Sequence, residues 1–365
     1  MDDQFKISIN NYTLEKITKK KYDMGFANKN WDEWFDELIN EPKNRNTNEI
    51  IEDTFQKVTY EKWFDQWIKN FAINLNDIWE GKSARKLTPN INVDENKFTP
   101  SIVIGRGPSI TKHKHLELLS ESKFSGSIIC TDGALKNVLK SGVTPEKFEN
   151  FFVVTIDAQD IQLDLYLDPI IEKYGNKIKA IFSTATSPKV ISKAKELGME
   201  IFWLHTLIDY DKGKLSFNHI SSIMTKCKNH INGLPAIQTA GNVGSSCWVI
   251  AWSILKSSPV GLIGLDHAYL SETPWEEITK NHNLDESLSY ESKLFKNAYP
   301  TGYNPDFQCH YKQTPQFQYY STAFKEFIPL APKWVKTINA TEGGAIHGEK
   351  IHSMTFRNFL QQYSI

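Results

Sequence analysis

The sequence lacks the long apolar runs and the charge excess that mark several classes of protein. No stretch approaches the ~18 consecutive apolar residues that a membrane span requires, and no basic start is followed by an apolar run as in a signal peptide. The 42 basic and 43 acidic residues give a net charge of −1, which offers no support for a nucleic-acid partner. We therefore expect a protein with no membrane span that does not bind nucleic acid.

Paired cysteines are also missing. The four cysteines, Cys130, Cys227, Cys247 and Cys309, are scattered and form no C-x-x-C pair. A disulfide framework and a structural zinc site are therefore not expected, and free thiols are typical of the reducing cytoplasm, where we place the protein. No internal repeat is visible. Hydrophobic residues make up 40% of the 365 residues, enough for a sizeable core.

The first 95 residues are rich in Asn, Lys, Glu and Trp and differ in pattern from the rest. Two sets of aromatic residues recur at helical spacing, which is typical of the buried stripe of an amphipathic helix. The two sets are Trp31, Trp34 and Phe35, and Phe64, Trp67 and Phe71. We predict a small helical region over residues 1–95; an aromatic ligand-binding face is the alternative.

From Ser101 onward, short β-branched apolar runs alternate with helical stretches. Such alternation predicts an α/β fold over residues 96–365, with a parallel sheet covered by helices on both faces. The predicted strands are residues 102–104, 127–131, 151–156, 180–182, 201–204, 260–264 and 335–339. The predicted helices are residues 115–122, 135–140, 188–197 and 245–255. Ligands of such sheets bind beyond the carboxyl ends of the strands, so we look for the site there.

A glycine-rich turn follows the first predicted strand and contains Gly105, Arg106, Gly107 and Ser109. Glycines allow a backbone to approach a ligand closely, and the amides of a helix start favour an anion. We expect this turn to bind phosphate through its amides, with Arg106 adding charge. The spacing matches neither G-x-G-x-x-G nor a P-loop, and a plain strand-to-helix connection is an equal alternative.

Two later segments also offer small residues at the predicted strand edge. Before an apolar helix stand Gly241, Asn242, Gly244 and Ser245, and after the last strand stand Thr341, Glu342 and Gly343. The first segment suits a phosphate or a sugar hydroxyl, or is an ordinary capped helix start. The second allows close approach of a ligand, or is a simple turn.

Acidic residues stand at the ends of three predicted strands. Asp132, Asp157, Asp160 and Asp266 are candidates to hold Mg²⁺, which brings nucleotide phosphates to a site. An N-cap is the structural alternative for Asp132. His267, beside Asp266, is the histidine that we select as a candidate catalytic base.

At these residues the chain resembles the family that contains the archaeal 6-hydroxymethylpterin diphosphokinase and the bacterial flagellar motility accessory factors. The stretches that carry the resemblance occur in family order and cover residues 101–348. They are IVIGRGPSI, CTDGALKNVLKSGVTPEKF, FFVVTIDAQD, TAGNVGSSCWVIAWSIL, VGLIGLDHAYL and INATEGGAIHG. The succession Asp-Gly-Ala, Gly-x-x-Pro and Asp is also similar to that of thiamin pyrophosphokinases.

The resemblance implies a Rossmann-like, doubly wound, mostly parallel sheet and a nucleotide substrate. The pterin branch transfers diphosphate from ATP to a hydroxymethyl group with Mg²⁺ and releases AMP. The accessory-factor branch is linked to transfer of nonulosonic sugars from cytidine-monophosphate (CMP) donors, on a fold similar to some sialyltransferases. One departure stands out: the pyrophosphokinase pattern has Asp-x-Asp, whereas Asp157 and Asp160 are separated by two residues.

Three hypotheses follow. The first is a diphosphokinase-like transferase in which Asp132, Asp157 and Asp160 hold Mg²⁺ on ATP, and Asp266 or His267 acts as base toward a pterin acceptor. The second is a glycosyltransferase that uses a CMP-nonulosonate donor and a glycan acceptor, with His267 or His347 as base and little dependence on metal. The third is a non-catalytic, nucleotide-binding adaptor. A homo-oligomer is compatible with each of them.

Overall fold

The computed structural model describes residues 47–90, 97–209, 216–227, 229–280 and 289–364, with side chains from residue 62 onward in the first helix. The predicted aromatic stripe of Trp31, Trp34 and Phe35 lies outside the described residues. None of the helices in these ranges is long and apolar enough to cross a membrane.

The core of the fold is a parallel sheet whose strands run in the order β1-β6-β5-β4-β3-β2-β8-β12-β13, with β7 paired to β6. Three further strands form a separate antiparallel sheet in the order β10-β11-β9. The strands of the parallel sheet are β1 (Lys82–Ser83), β2 (Ser101–Ile104), β3 (Ser127–Thr131), β4 (Phe151–Thr155), β5 (Lys179–Ser183), β6 (Glu200–Thr206), β7 (Ala236–Ile237), β8 (Val260–Ile263), β12 (Thr337–Asn339) and β13 (Ile351–Ser353). Those of the antiparallel sheet are β9 (Tyr269–Leu270), β10 (Thr301–Asn304) and β11 (Cys309–Lys312).

Helices cover both faces of the parallel sheet. They are α1 (Thr47–Glu80), α2 (Ser109–Lys112), α3 (His115–Glu121), α4 (Asp132–Lys140), α5 (Pro169–Tyr174), α6 (Pro188–Glu196), α7 (Phe217–Met224), α8 (Val243–Ser253), α9 (Trp275–Thr279), α10 (Lys293–Ala298), α11 (Pro315–Phe327) and α12 (Phe356–Tyr363). Short 3-10 turns span Ala84–Leu87, Asp160–Tyr166, Gly175–Lys177 and Ile328–Leu330.

Each central strand contributes to two hydrophobic cores, one on either side of the sheet. In β2, Ile102 and Ile104 pack into the core under α3, α4, α6 and α12, whereas Val103 packs into the core under α8 and α11. Because successive side chains of a strand point to opposite faces, a strand buried on both faces is apolar throughout. The predicted α/β class and the mostly parallel, doubly wound sheet are therefore confirmed.

The segment 272–318 differs from the sequence interpretation, which found no clear strand there. It contains β10 and β11, which pair with each other and with β9. Thr301–Asn304 and Cys309–Lys312 carry polar side chains and a glycine and lack β-branched apolar pairs. This composition hides a short antiparallel hairpin from a search for apolar runs.

The strand order reverses its direction of growth at β2. From β2 the chain builds β3 to β6 on one side, whereas β8 and β12 are added on the other. In open α/β sheets, a crevice opens at the carboxyl ends of the strands at such a switch point. Gly105, after β2, and Gly264, after β8, lie at this point and both line a cavity.

Helix α1 is tied to the sheet by two buried asparagines. Asn70 Nδ2 donates to the carbonyl oxygens of Ala158 (2.9 Å) and Ala185 (3.0 Å), which lie in the loops after β4 and β5. Asn74 Nδ2 donates to Thr184 O and Thr186 O in the same way. Strand β1, directly after α1, extends the parallel sheet by pairing with β6. The predicted domain boundary near residue 95 stays a prediction.

Candidate active site

A cavity of about 790 Å³ lies at the switch point, beyond the carboxyl ends of the parallel strands. Its volume falls within the range of about 300–1,000 Å³ that is usual for small-molecule sites. The floor comes from the residues that follow β2, β3, β4 and β8, and from the start of α8. Side chains of α1 and α11 also line the cavity.

The Asp266 carboxylate holds the glycine turn after β2 in place by accepting hydrogen bonds from Ser109. Ser109 donates to this carboxylate through its hydroxyl (2.8 Å) and its backbone amide (3.3 Å). A Cβ on Gly107 would lie 1.9 Å from Asp266 Oδ2, so only glycine fits between the turn and the carboxylate. Burial raises the pKa of Asp266 to about 7, against the hydrogen bonds from Ser109.

The amides of this turn do not form the predicted phosphate cradle. Gly105 N donates to Ile263 O, Gly107 N to Gly264 O, and Ser109 N to Asp266. These three amides are therefore already used within the fold. Ser109 is buried behind the turn, whereas Gly105, Arg106 and Gly107 line the cavity.

Two carboxylates, Asp132 and Asp157, face the same cavity after β3 and β4. Asp132 is only 6% exposed; its Oδ1 accepts from Gly133 N (2.7 Å), and its Oδ2 has no hydrogen-bond partner. Burial raises the pKa of Asp132 to about 6, against the Gly133 amide, the Thr155 hydroxyl and the Arg106 guanidinium. Burial also raises the pKa of Asp157, against the Ala158 amide and Arg106. Asp132 is the first residue of α4 and not its N-cap, which is Thr131. The capping alternative for Asp132 is therefore not what the structure shows.

Asp160 lies away from these two acids. Its side chain is 50% exposed, pairs with Lys189 Nζ (2.7 Å) and accepts from the Ser187 hydroxyl (2.7 Å). The structure thus separates Asp160 from the predicted metal ligands. In the described ranges, no three His, Cys, Asp or Glu side chains are grouped so as to hold a metal ion.

The start of α8 closes another side of the cavity. Asn242 caps this helix by accepting from Ser245 N (2.9 Å), which confirms the capped helix start. Gly241, Asn242 and Gly244 line the cavity, whereas Ser245 is fully buried behind them. Amides in the first turn of a helix lack intrahelical partners, so those of Val243 and Gly244 are suited to an anion.

A family model matches the residues that form most of this floor. Residues 69–272 match the family model described as "6-hydroxymethylpterin diphosphokinase MptE-like", more than half of the chain. The chain belongs to the MptE-like family. The matched range includes Gly105, Asp132, Asp157, Asn242 and Asp266.

A solved structure shares the fold. It is the MAf glycosyltransferase from Magnetospirillum magneticum AMB-1, with a TM-score of 0.50 and 14% sequence identity. The alignment covers 78% of this chain and 39% of that chain, so the present chain spans about two fifths of its length. No curated protein matches the sequence significantly.

His267 also lies in the MptE-like segment and lines the cavity, 9% exposed. Burial lowers its pKa to about 3, and the charge of Lys325 acts in the same direction, so the imidazole is neutral at pH 7. Its Nδ1 has no hydrogen-bond partner, and its φ of 44° lies in the left-handed region. Such backbone strain is found preferentially at functional sites. His347, the alternative base, does not line the cavity.

The segment after β12 lies outside both the MptE-like match and the cavity lining. Thr341 is buried, and its amide donates to Asn339 Oδ1. Glu342 accepts from Phe356 N (3.0 Å) at the start of α12, and Gly343 lies near Cys309. The simple-turn alternative describes this segment best, because its polar groups serve the fold.

Sequence reasoning found only part of the remaining lining. It interpreted Phe64, Trp67 and Phe71 as a buried stripe, with an aromatic ligand-binding face as the alternative, and assigned no site residue to α11. In the structure, Trp67 lines the cavity together with Tyr319 and Tyr320 of α11. The paired tyrosines were a visible signal, but nothing in a single sequence indicates that α11 reaches the crevice.

Proposed function

We propose that this MptE-like protein is a nucleotide-dependent transferase that moves diphosphate from ATP to a hydroxymethyl group, with the aid of Mg²⁺. One observation carries the proposal. Asp132 and Asp157 face one cavity beside the guanidinium of Arg106, and Asp132 keeps a buried carboxylate oxygen without a partner. A buried, unpaired carboxylate is costly unless a ligand uses it.

The two carboxylates fit Mg²⁺ chemically. Mg²⁺ in nucleotide sites is usually held by one or two carboxylates together with substrate phosphates and waters. Asp132 and Asp157 are the residues that would hold it, and both line the cavity. When bound, Mg²⁺ neutralises negative charge on the phosphates.

The remaining residues position the reactants. The Arg106 guanidinium and the first-turn amides of α8 supply positive charge for the phosphates that Mg²⁺ does not cover. Asp266 fixes the glycine turn, so its role is to position the turn, in place of the predicted role as base. His267, neutral and inside the cavity, would accept a hydrogen bond from the acceptor hydroxyl and so orient it; with a pKa lowered to about 3 it is a poor acceptor for the proton itself.

The test is thermal stabilisation by ATP with and without Mg²⁺. At about 100 times Kd, a ligand that binds only the folded state adds about 2.7 kcal/mol, or a Tm rise of about 3–4 °C for a chain of this length. We expect this rise to require Mg²⁺, to be lost in Asp132→Asn and Asp157→Asn, and to persist in Asp160→Asn. Asp160→Asn is the matched control because it makes the same chemical change outside the cavity. An ATP shift that survives Asp157→Asn, with diphosphate transfer within tenfold of wild type, contradicts the assignment.

A second candidate is sugar transfer from a CMP-nonulosonate donor to a glycan acceptor. The spacing of the acids favours it: Asp157 and Asp160 are separated by two residues and so depart from Asp-x-Asp, and this transfer would depend little on metal. This candidate predicts stabilisation by CMP that is indifferent to Mg²⁺, and sugar transfer that resists a chelator. A protein that no nucleotide stabilises would instead fit the non-catalytic adaptor.

A further inference from the structure

The 3-10 turn Asp160–Tyr166, which follows β4, brings a glutamine back to the carboxylate of Asp157. Gln162 Nε2 donates a hydrogen bond to Asp157 Oδ2 (3.1 Å). Both residues line the cavity, and Gln162 is half-buried. Gln162 therefore contacts, within the cavity, one of the two acids that would hold Mg²⁺.

The turn that carries Gln162 is fixed at both ends. At its start, the Asp160 carboxylate accepts from the Ser187 hydroxyl (2.7 Å). At its end, the hydroxyl of the fully buried Tyr166 is hydrogen-bonded to Thr155 Oγ1 (2.7 Å), in the last residue of β4. Because both ends are held, the fold determines where Gln162 lies relative to the carboxyl end of β4.

The backbone around Asp157 is fixed as well. Ser187 N donates to Asp157 O (3.3 Å), and Asn70 Nδ2 donates to Ala158 O (2.9 Å). The rotation of the Asp157 side chain is the freedom that remains. Since the terminal torsion of an aspartate has a broad preference, its hydrogen-bond partners decide how the carboxylate is turned. Gln162 is such a partner, and it is made by a side chain that can be removed without touching the backbone.

We propose that Gln162 is a positioning residue that fixes the Asp157 carboxylate through Oδ2 and so leaves Oδ1 available to Mg²⁺. This inference rests on the proposed diphosphate transfer. Ligands of a metal are usually oriented by hydrogen bonds from neighbouring groups, and loss of such a partner weakens metal binding about 10–100-fold. An amide suits this role because it donates without placing a second negative charge beside Asp157.

The departure from Asp-x-Asp explains why Asp157 depends on such a partner. Gln159 stands at the position of the second acid of that pattern, and it lines the cavity. Asp160, the next acid, is held at the surface. Asp157 is thus the carboxylate that the loop after β4 contributes to the cavity, and a neighbouring acid in this loop does not compensate if it rotates.

The experiment is calorimetric titration of the full chain with ATP at a series of Mg²⁺ concentrations and without Mg²⁺. Gln162→Met removes the amide and nearly keeps the volume of the side chain. We expect the Mg²⁺ concentration for half-maximal ATP binding to rise about tenfold, whereas ATP binding without Mg²⁺ stays as in the wild type. A merely structural role would weaken both.

Gln362→Met is the control, because Gln362 of α12 is exposed and does not line the cavity. Since Gln162 is only half-buried, the Tm of Gln162→Met without ligand should stay close to that of the wild type. Gln162→Ala repeats the titration if the methionine variant does not fold.

Asp157→Asn shows whether Gln162 acts through Asp157. Residues that act as a unit have non-additive effects. We expect Gln162→Met to change the Mg²⁺ dependence of ATP binding in the wild-type background and to add nothing in the Asp157→Asn background. An equal effect in both backgrounds, or no effect in the wild-type background, overturns the proposal.

The same measurements separate this inference from the proposed function. If the wild type needs Mg²⁺ to bind ATP and Gln162→Met leaves that need unchanged, the positioning role is refuted and the proposed function stands. If the Mg²⁺ dependence requires Gln162 but no diphosphate reaches a hydroxymethyl acceptor, the proposed function fails and the positioning role stands. ATP binding that is indifferent to Mg²⁺ in the wild type overturns both.

Discussion

Replacing Gly107 by alanine probes how closely the glycine turn packs on Asp266. The new Cβ would lie 1.9 Å from Asp266 Oδ2 and 2.8 Å from Gly264 O. Neither neighbour can move freely, because the carboxylate is 3% exposed and Gly264 O already accepts from Gly107 N. The turn or the carboxylate must therefore shift, and the hydrogen bonds from Ser109 to Asp266 are lost or lengthened.

The cost has two parts. Forcing an extra methyl group into a packed site costs about 1–3 kcal/mol, and weakening a hydrogen bond to a charged group costs about 1.5–3 kcal/mol. We expect a loss of stability of about 3–5 kcal/mol, which corresponds to a Tm lower by about 4–7 °C for a chain of this length. ATP binding should weaken as well, because the displaced turn carries Arg106.

Two other glycines of the same region are matched controls. A Cβ on Gly133 would be 3.0 Å from Arg106 Cδ, but this side chain is exposed and can move. A Cβ on Gly343 would be 3.7 Å from Cys309 Sγ, an ordinary contact. Differential scanning fluorimetry should rank Gly107→Ala far below Gly133→Ala and Gly343→Ala. Equal Tm values for the three variants would refute the close packing of Gly107 on Asp266.

Two further predictions concern buried polar groups. Asn70→Ala should lower the free energy of unfolding by about 2–4 kcal/mol, because two buried carbonyls lose their donor. Urea denaturation measures this free energy, and Ile73→Ala, at an exposed position of the same helix, is the control. A loss below about 1 kcal/mol in Asn70→Ala would contradict the prediction. Asp266→Asn should change the pH dependence of stability. Since the folded-state pKa of Asp266 is raised to about 7, its stabilising contribution is complete below about pH 4 and is lost as pH rises to about 7. The stability difference between wild type and Asp266→Asn should therefore fall over that range, and a flat difference would argue against the raised pKa.

The buried strands could be predicted from the sequence for a physical reason. Strands covered on both faces must be apolar at every position, and such runs stand out between helical stretches. The run at residues 127–131 coincides with β3, and the other six runs overlap their strands. Strands β1 and β7 have two residues each and could not be recognised in this way.

The acids at the strand ends show what the pattern of strands cannot predict. The end of a parallel strand predicts that Asp132, Asp157 and Asp266 lie at one edge, and the structure places all three in the cavity lining. Spacing alone does not distinguish Asp157 from Asp160, three residues later. The loop after β4 turns outward between them, because Ser187 and Lys189 at the start of α6 hold the Asp160 carboxylate at the surface.

Helix α1, which precedes the sheet, also contains residues whose role the sequence alone does not predict. Asparagine is mostly exposed in proteins, yet Asn70 and Asn74 are each 1% exposed, and each donates to two loop carbonyls. A side-chain amide reveals its role only through its partners, and those lie 88 to 115 residues away. The MptE-like match begins at residue 69, directly before the first of these anchors. Helix α1 thus has an anchored part, from residue 69 onward, that lies within the MptE-like match, and an earlier part, with Trp63 and Trp67, that lines the cavity.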